Sequence, residues 1–341
     1  MRSFHLGCLQ GIGSRDVGPR SGVVSVWSVT KTPGHVLIRN GVKPMRVGLS
    51  ATVFDNGIVN APEGAPHFLI VGACKSGTTS LYDDLAAHPD AALPTEKEPD
   101  ILHQATSPEE ALGLWRKHFG RIGRDKIRGE ASTTYTMAPD CADVSDLARA
   151  ALGPEARIIY IMRDPIHRIE SHLAHDFAAK RLERPEFDRT ALDIGRYVAC
   201  SDYARQIKPW INAFERRNVL PVIFEDYVRA RYDCARSVAS FVGLDPTRLP
   251  ARSAVSNPRD SRRAPKTSPL GRFVSGRFYR QRLRWMFPDV LRQAAKVVLI
   301  KKREIPPVRL APETRIELAR RLAHVPDGLR QLGIEPGDWC G

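Results

Sequence analysis

The chain has 341 residues, of which 42% are hydrophobic and 26% charged, a balance that excludes wholesale disorder. No run of apolar residues approaches the roughly 18 needed for a membrane-crossing helix, and the longest, Phe68–Ala73 and Val297–Ile300, have the length of a strand or of part of a helix. The formal net charge of +14 is uneven: residues 1–60 carry a balance of +5, residues 259–304 carry +11, and the remainder carries −2. Residues 1–60 read as a solvated basic segment, and residues 259–304 are open to two readings, attraction of an anionic partner or a solvated basic face.

In chain order, residues 1–60 hold no sustained period of two or 3.6 and read as a poorly ordered extension with room for a short hairpin. The folded domain is expected over 66–341. His67–Gly72 is a short apolar run and predicts a buried strand. The turn Ala73–Ser80 follows, and Leu81, Tyr82, Leu85 and Ala86 recur at helical spacing. Ser107-Pro108-Glu109-Glu110 has the form of a capping box with proline at the first helical position, so a helix is predicted through Leu112, Trp115 and Phe119. Ile127–Glu130 reads as a short strand, and Cys141–Leu152 as a helix stopped by Gly153. Arg157–Met162 is a second buried strand ending at Arg163-Asp164-Pro165, and a helix then carries Ile166, Ile169, Leu173 and Phe177. Tyr203–Phe214 is helical with a bend expected at Pro209, Val219–Phe224 is a third apolar strand, and Tyr232–Val242 is a helix. Residues 312–332 read as one terminal amphipathic helix with Ile316, Leu318, Leu322 and Leu329 on its apolar face. Strands alternating with helices imply an α/β fold with a central parallel β-sheet flanked by helices on both faces. Ligands in such sheets sit beyond the carboxyl ends of the strands, which points to the strand ends near 72 and 162.

The turn after the first strand has the make-up of a phosphate cradle: small residues let successive backbone N–H groups face inward, and the next helix presents its positive end. A nucleoside-triphosphate loop reads G-x-x-x-x-G-K-[ST]; with Gly72 and Gly77 as its glycines, Thr78 stands where the lysine belongs, and the loop's lysine is Lys75. Lys75-Ser76-Gly77-Thr78-Thr79-Ser80-Leu81 resembles instead the 5′-phosphosulfate loop of sulfotransferases, K-[ST]-G-T-[TS]-x-L. The branch resembled contains the glycosaminoglycan and heparan sulfate sulfotransferases and many bacterial relatives. Arg163-Asp164-Pro165-Ile166-His167-Arg168-Ile169-Glu170-Ser171 is similar to that family's 3′-phosphate motif, R-[ND]-P-x-x-R-x-x-S. Thr95–Pro99 is similar to its K-E-[PV] segment, with Ile101 and Leu102 where the family has aromatics. Gly129–Tyr135 resembles G-E-x-[ST]-P-x-Y, and Leu329, Gly333 and Trp339 resemble the closing L-x-x-x-G-x-x-x-x-x-W pattern.

The resemblance implies a P-loop-like fold and a sulfotransferase using 3′-phosphoadenosine 5′-phosphosulfate (PAPS) without a metal, leaving 3′-phosphoadenosine 5′-phosphate. Lys75, Ser76, Gly77, Thr78, Thr79 and Ser80 would hold the 5′ end, and Arg163 and Ser171 the 3′-phosphate, with Arg262 or Arg263 closing over the nucleotide. Glu98 would take the acceptor's proton, Lys97 would stand beside it, and Lys75 would face the charge that builds on the leaving oxygen. A histidine base among His103, His172 and His175 is the weaker alternative, and Arg168 reads as a surface ion pair or a packing residue. The acceptor class is open between a glycan, a lipid and a small-molecule hydroxyl, and the aromatic and basic stretch 271–302 between a lid, a peripheral membrane contact and packed helices. Two rivals are a P-loop kinase or NTPase, with Asp164 on magnesium, and a basic nucleic-acid-binding protein. The second is disfavoured because the basic excess lies outside the motif-bearing middle and no helix-turn-helix or finger signature occurs. The six cysteines are scattered without metal-ligand spacing, and the first 13 residues lack the apolar core of a secretory signal, so a cytoplasmic setting is expected.

Overall fold

Five strands, β1 (Phe68–Gly72), β2 (Ala91–Ala92), β3 (Ile127–Ala131), β4 (Arg157–Met162) and β5 (Val219–Ile223), lie parallel in the order β2-β3-β1-β4-β5. The computed structural model describes residues 61–94, 97–120, 125–182, 186–250 and 307–339. Beyond these it describes only two backbone pairings, Lys31–Thr32 with His35–Val36 and Arg263–Pro265 with Lys302–Glu304.

Alternation along the strands builds two cores. Leu69, Val71, Ile158, Tyr160 and Met162 pack on one face with Trp115, Phe119, Trp210 and Phe214. Phe68, Ile70, Ile159, Ile161, Leu220 and Val222 pack on the other with Leu81, Leu85, Tyr227, Val238 and Phe241. The first face is covered by α3 (Pro108–Phe119), α4 (Ser145–Leu152) and α8 (Tyr203–Phe214), the second by α1 (Thr78–Ala86), α9 (Phe224–Arg229) and α10 (Arg231–Phe241). A sheet covered on both faces needs near-continuous apolar strands, which is how β1, β4 and β5 read. Short helices α2 (Ile101–Gln104), α6 (Phe187–Asp193) and α7 (Arg196–Ala199) have no strong signal in the sequence.

The chain leaves β1 toward β2 on one side and leaves β4 toward β5 on the other. β1 and β4 are therefore neighbours whose connections diverge, and the crevice at their carboxyl ends is where such a sheet binds ligands. Both predicted anion-binding motifs sit there, on the turn after β1 and at the start of α5 (Pro165–Ala178).

Three details differ from expectation. The helix predicted from Cys141 starts at Ser145, because the Asp143 carboxylate takes the Ser145 N–H at 2.9 Å and turns the chain before it can coil. The terminal helix is two, α11 (Pro312–Arg321) and α12 (Val325–Gln331), joined by a turn in which Val325 N–H donates to Leu322 O. Pro326 cannot continue a preceding helix, so the phase restarts there. Ile316, expected on the apolar face, is 70% exposed, while Thr314 and Leu318 face inward. The capping box at α3 forms with a shift: Ser107 Oγ accepts from Glu110 N–H at 3.2 Å, and the Glu110 carboxylate reaches back to the Thr106 N–H, not that of Ser107.

Candidate active site

The turn after β1 is built for close approach. Lys75 adopts a left-handed backbone, φ +69°, and Gly77 does so at +93° as the N-cap of α1. No side chain caps α1 and no acidic residue lies in its first turn, whereas Ser107, Asp164 and Asp202 cap α3, α5 and α8. The first-turn N–H groups of α1 therefore await an acceptor from outside the helix. A Cβ at Gly77 would lie 2.5 Å from the Phe224 ring, so the turn has room for glycine alone. Ser76, Thr78 and Ser80 are buried, while Thr79 faces solvent.

At the end of β4, Arg163 is buried, lies over the face of Phe224 (5.0 Å to the ring centre), and brings Nη1 to 3.5 Å from the Lys75 carbonyl. Phe224 thus packs against both Gly77 and Arg163, a role hidden in the sequence, where it reads as the end of a strand. Tyr203 OH donates to the Arg163 carbonyl at 2.7 Å, and the ring of Trp339 lies against Tyr203 at 5.5 Å. Asp164 N–H donates to Glu225 Oε1 at 3.0 Å, and the Asp164 carboxylate takes the His167 N–H at 2.8 Å. Ser171 is buried on α5, the helix that Arg163 leads into. Arg168 is fully buried: it donates to Ser201 Oγ at 2.6 Å and Tyr197 O at 2.7 Å and reaches the Cys74 carbonyl at 3.5 Å, so of its two readings packing is correct.

The third predicted segment meets the first. Lys97 Nζ donates to Glu98 Oε1 at 2.7 Å and to Thr78 Oγ1 at 3.3 Å, which ties the carboxylate to the start of α1. Thr133 Oγ1 donates to the same Glu98 oxygen at 3.4 Å, a contact that no sequence signal pointed out. Glu98 itself is exposed to solvent. Its neighbour Asp100 accepts from Thr134 Oγ1 at 2.6 Å. Behind them Glu130 is fully buried; burial pushes its carboxyl up, and hydrogen bonds from Trp115, Tyr135 and Ser132 oppose that rise.

His172 is sealed between Arg168 (Nη1 to Nδ1, 3.2 Å) and the edge of Tyr197, and burial with the Arg168 charge pushes it down to about 2. Among the described residues His172 is thus engaged within the core, unlike the exposed Glu98. His103 is engaged with the Ala142 carbonyl and Thr134, and His175 lies exposed on α5. Contacts thus join Lys75 to Arg163 and Thr78 to Lys97 and Glu98 around the turn after β1, and Ser171 lies on the helix that Arg163 leads into. Arg262 and the side chain of Arg263 lie outside the described residues.

The chemistry at the two strand ends fits a ligand with a phosphate at each end: N–H donors, a lysine and an arginine are the donor set such groups take. Residues 65–267 match the sulfotransferase domain family. Heparan sulfate glucosamine 3-O-sulfotransferase 3A1 of Mus musculus is 25% identical over 228 residues, which cover 62% of this chain and 53% of that protein. Carbohydrate sulfotransferase 15 of Homo sapiens is 25% identical over 274 residues, covering 60% of this chain and 49% of that protein. The chain spans about half the length of these curated relatives. A sulfotransferase structure from Alicyclobacillus acidocaldarius shares the fold, with a TM-score of 0.56 at 21% identity over 81% of this chain and 98% of that one.

Proposed function

The chain belongs to the sulfotransferase domain family, and from that membership we propose that it moves the sulfuryl group of PAPS to a hydroxyl or amine of an acceptor, a glycan first among the candidates. The observation that carries this reading is the adjacency of the two anion-binding ends, with Arg163 Nη1 3.5 Å from the Lys75 carbonyl. A nucleotide held at both ends has its sulfur presented in one orientation, and positioning is the main gain available to such a transfer. The Lys75–Ser80 turn and the N-terminus of α1 hold the 5′ end, and Arg163 and Ser171 hold the 3′-phosphate. Glu98 removes the acceptor proton as the acceptor oxygen or nitrogen bonds to sulfur and the bridging S–O bond breaks. Lys75 faces the charge left on the departing phosphate oxygen. Lys97, hydrogen-bonded to both Glu98 and Thr78, holds the base beside the start of α1.

A magnesium-dependent kinase is less well supported. The Asp164 carboxylate that would meet the metal is spent on the His167 N–H, where it caps α5. The test is release of 3′-phosphoadenosine 5′-phosphate from PAPS with heparan sulfate, chondroitin sulfate and p-nitrophenol as acceptor probes. Turnover is expected with at least one probe, and Glu98→Gln is expected to lose about 10²–10⁴-fold in kcat. Magnesium-dependent ATP turnover with no PAPS turnover would overturn the reading.

A further inference from the structure

We propose that Glu130 is a positioning residue for the transfer step: through the Ser132 and Tyr135 hydroxyls it holds the turn that presents Glu98. The proposal rests on the reading of Glu98 as the base. The turn needs holding, because Glu98 and Asp100 are both non-glycine residues with left-handed backbones, φ +60° and +53°. Residues in that region persist only where surrounding structure fixes them, and such places cluster at functional sites.

The fixing contacts form a chain that begins at one buried carboxylate. Glu130 Oε1 accepts from Ser132 Oγ at 2.8 Å and from Tyr135 OH at 2.6 Å, while Trp115 Nε1 donates to Oε2. Each hydroxyl has a single proton, and both protons are given to Glu130. The two hydroxyl oxygens are thereby left as acceptors. Ser132 Oγ takes the Asp100 N–H at 3.1 Å, and Tyr135 OH takes the Leu102 N–H at 3.1 Å. Glu130 therefore pins the turn at two backbone points, two and four residues beyond Glu98, without reaching the crevice itself. Glu98 N–H donates to Ala131 O at 2.9 Å, so the turn is also fastened to the end of β3, directly after Glu130. The carboxylate, the two hydroxyls and Trp115 are all buried, so water does not compete for these bonds.

The experiment is a double-mutant cycle on kcat, read as release of 3′-phosphoadenosine 5′-phosphate from PAPS with heparan sulfate as acceptor probe. Ser132→Ala removes the acceptor of the Asp100 N–H and is expected to lower kcat about 10- to 100-fold, the scale of a 1 Å misplacement. Its PAPS KM and calorimetric affinity for 3′-phosphoadenosine 5′-phosphate are expected to stay within about twofold, because the nucleotide contacts lie on other elements. In the Glu98→Gln background the same change is expected to cost nothing further, since there is no base left to misplace. Tyr135→Phe, which frees the Leu102 N–H at the other end of the turn, is expected to repeat the pattern. A Ser132→Ala loss as large in Glu98→Gln as in wild type, or a parallel loss of nucleotide affinity, refutes the positioning role alone. Wild-type turnover by Glu98→Gln removes the base assignment and this proposal with it.

Discussion

Gly77→Ala separates a phosphate cradle from an ordinary tight turn. Two costs arise at that position. Alanine in the left-handed region, φ +93° here, costs about 1–2 kcal/mol. The added Cβ would also stand 2.5 Å from Phe224 Cε2 and 2.6 Å from Cδ2, so the ring must move. Forcing such a shift in a packed site costs about 1–3 kcal/mol more. The sum, about 2–5 kcal/mol, lies within the stability of a typical domain, so the variant should fold. For a chain of 341 residues, at about 2.1 cal/mol/K per residue, it corresponds to a fall in Tm of roughly 3–7 °C. Gly243→Ala is the matched control: its φ is +86°, it closes α10 with Leu244 N–H donating to Ala239 O at 2.9 Å, and a Cβ there meets nothing within 4 Å, so it carries the backbone cost alone. The functional consequence follows from Phe224, whose ring underlies Arg163 at 5.0 Å. Displacing that ring displaces the arginine. Calorimetry with 3′-phosphoadenosine 5′-phosphate should show at least a roughly tenfold loss for Gly77→Ala, about 1.4 kcal/mol in binding, and none for Gly243→Ala. If Gly77→Ala melts with Gly243→Ala and keeps full affinity, the turn does not depend on close approach and the reasoning fails.

Acid should destabilise the fold before its carboxylates titrate. Burial holds His67 at about 4 and His172 at about 2, below the ordinary 6.5, so the unfolded chain binds protons that the folded one refuses. Stability from these groups is intact above 6.5 and falls as pH drops, by about 1.4 kcal/mol per histidine at pH 5.5; equal urea midpoints at pH 7.5 and 5.5 would contradict this. Asp84 on α1 accepts Tyr227 OH at 2.6 Å and a two-pronged contact from Arg231 at 2.8 and 2.7 Å, all in a buried setting. Asp84→Ala should cost about 3–5 kcal/mol by removing the carboxylate that holds both Tyr227 and Arg231, with nucleotide affinity of the folded protein intact, so urea unfolding indistinguishable from wild type would count against it.

The parallel sheet was legible because β1, β4 and β5 are unbroken apolar runs, and a strand buried on both faces can be nothing else. The places of the two motif turns, after β1 and after β4, were legible because glycine at a left-handed position and an arginine at a strand end are local signals. What could not be read depends on contacts distant in sequence. Phe224 meets Gly77 across 147 positions and Arg163 across 61, and its own neighbourhood reads only as the end of an apolar run. Arg168 looks like a surface residue until the fold closes over it and aims it at Cys74, Tyr197 and Ser201. The contact of Thr133 with Glu98 joins the helical turn after β3 to a turn 35 residues earlier. The C-terminal helix was read as one because Leu318, Leu322 and Leu329, spaced by four and seven, keep one helical phase across the turn that separates α11 from α12.

The central claim is that one nucleotide is gripped at both ends, by the turn at Gly77 and by Arg163 with Ser171. Titration calorimetry on the wild-type chain with 3′-phosphoadenosine 5′-phosphate, 5′-AMP and ATP tests it without knowledge of the acceptor. The bisphosphate is expected to bind at least about 100-fold more tightly than 5′-AMP, with ATP no better than 5′-AMP and the advantage abolished by Arg163→Ala. Equal affinity for the bisphosphate and 5′-AMP, or tighter binding of ATP, would contradict the account.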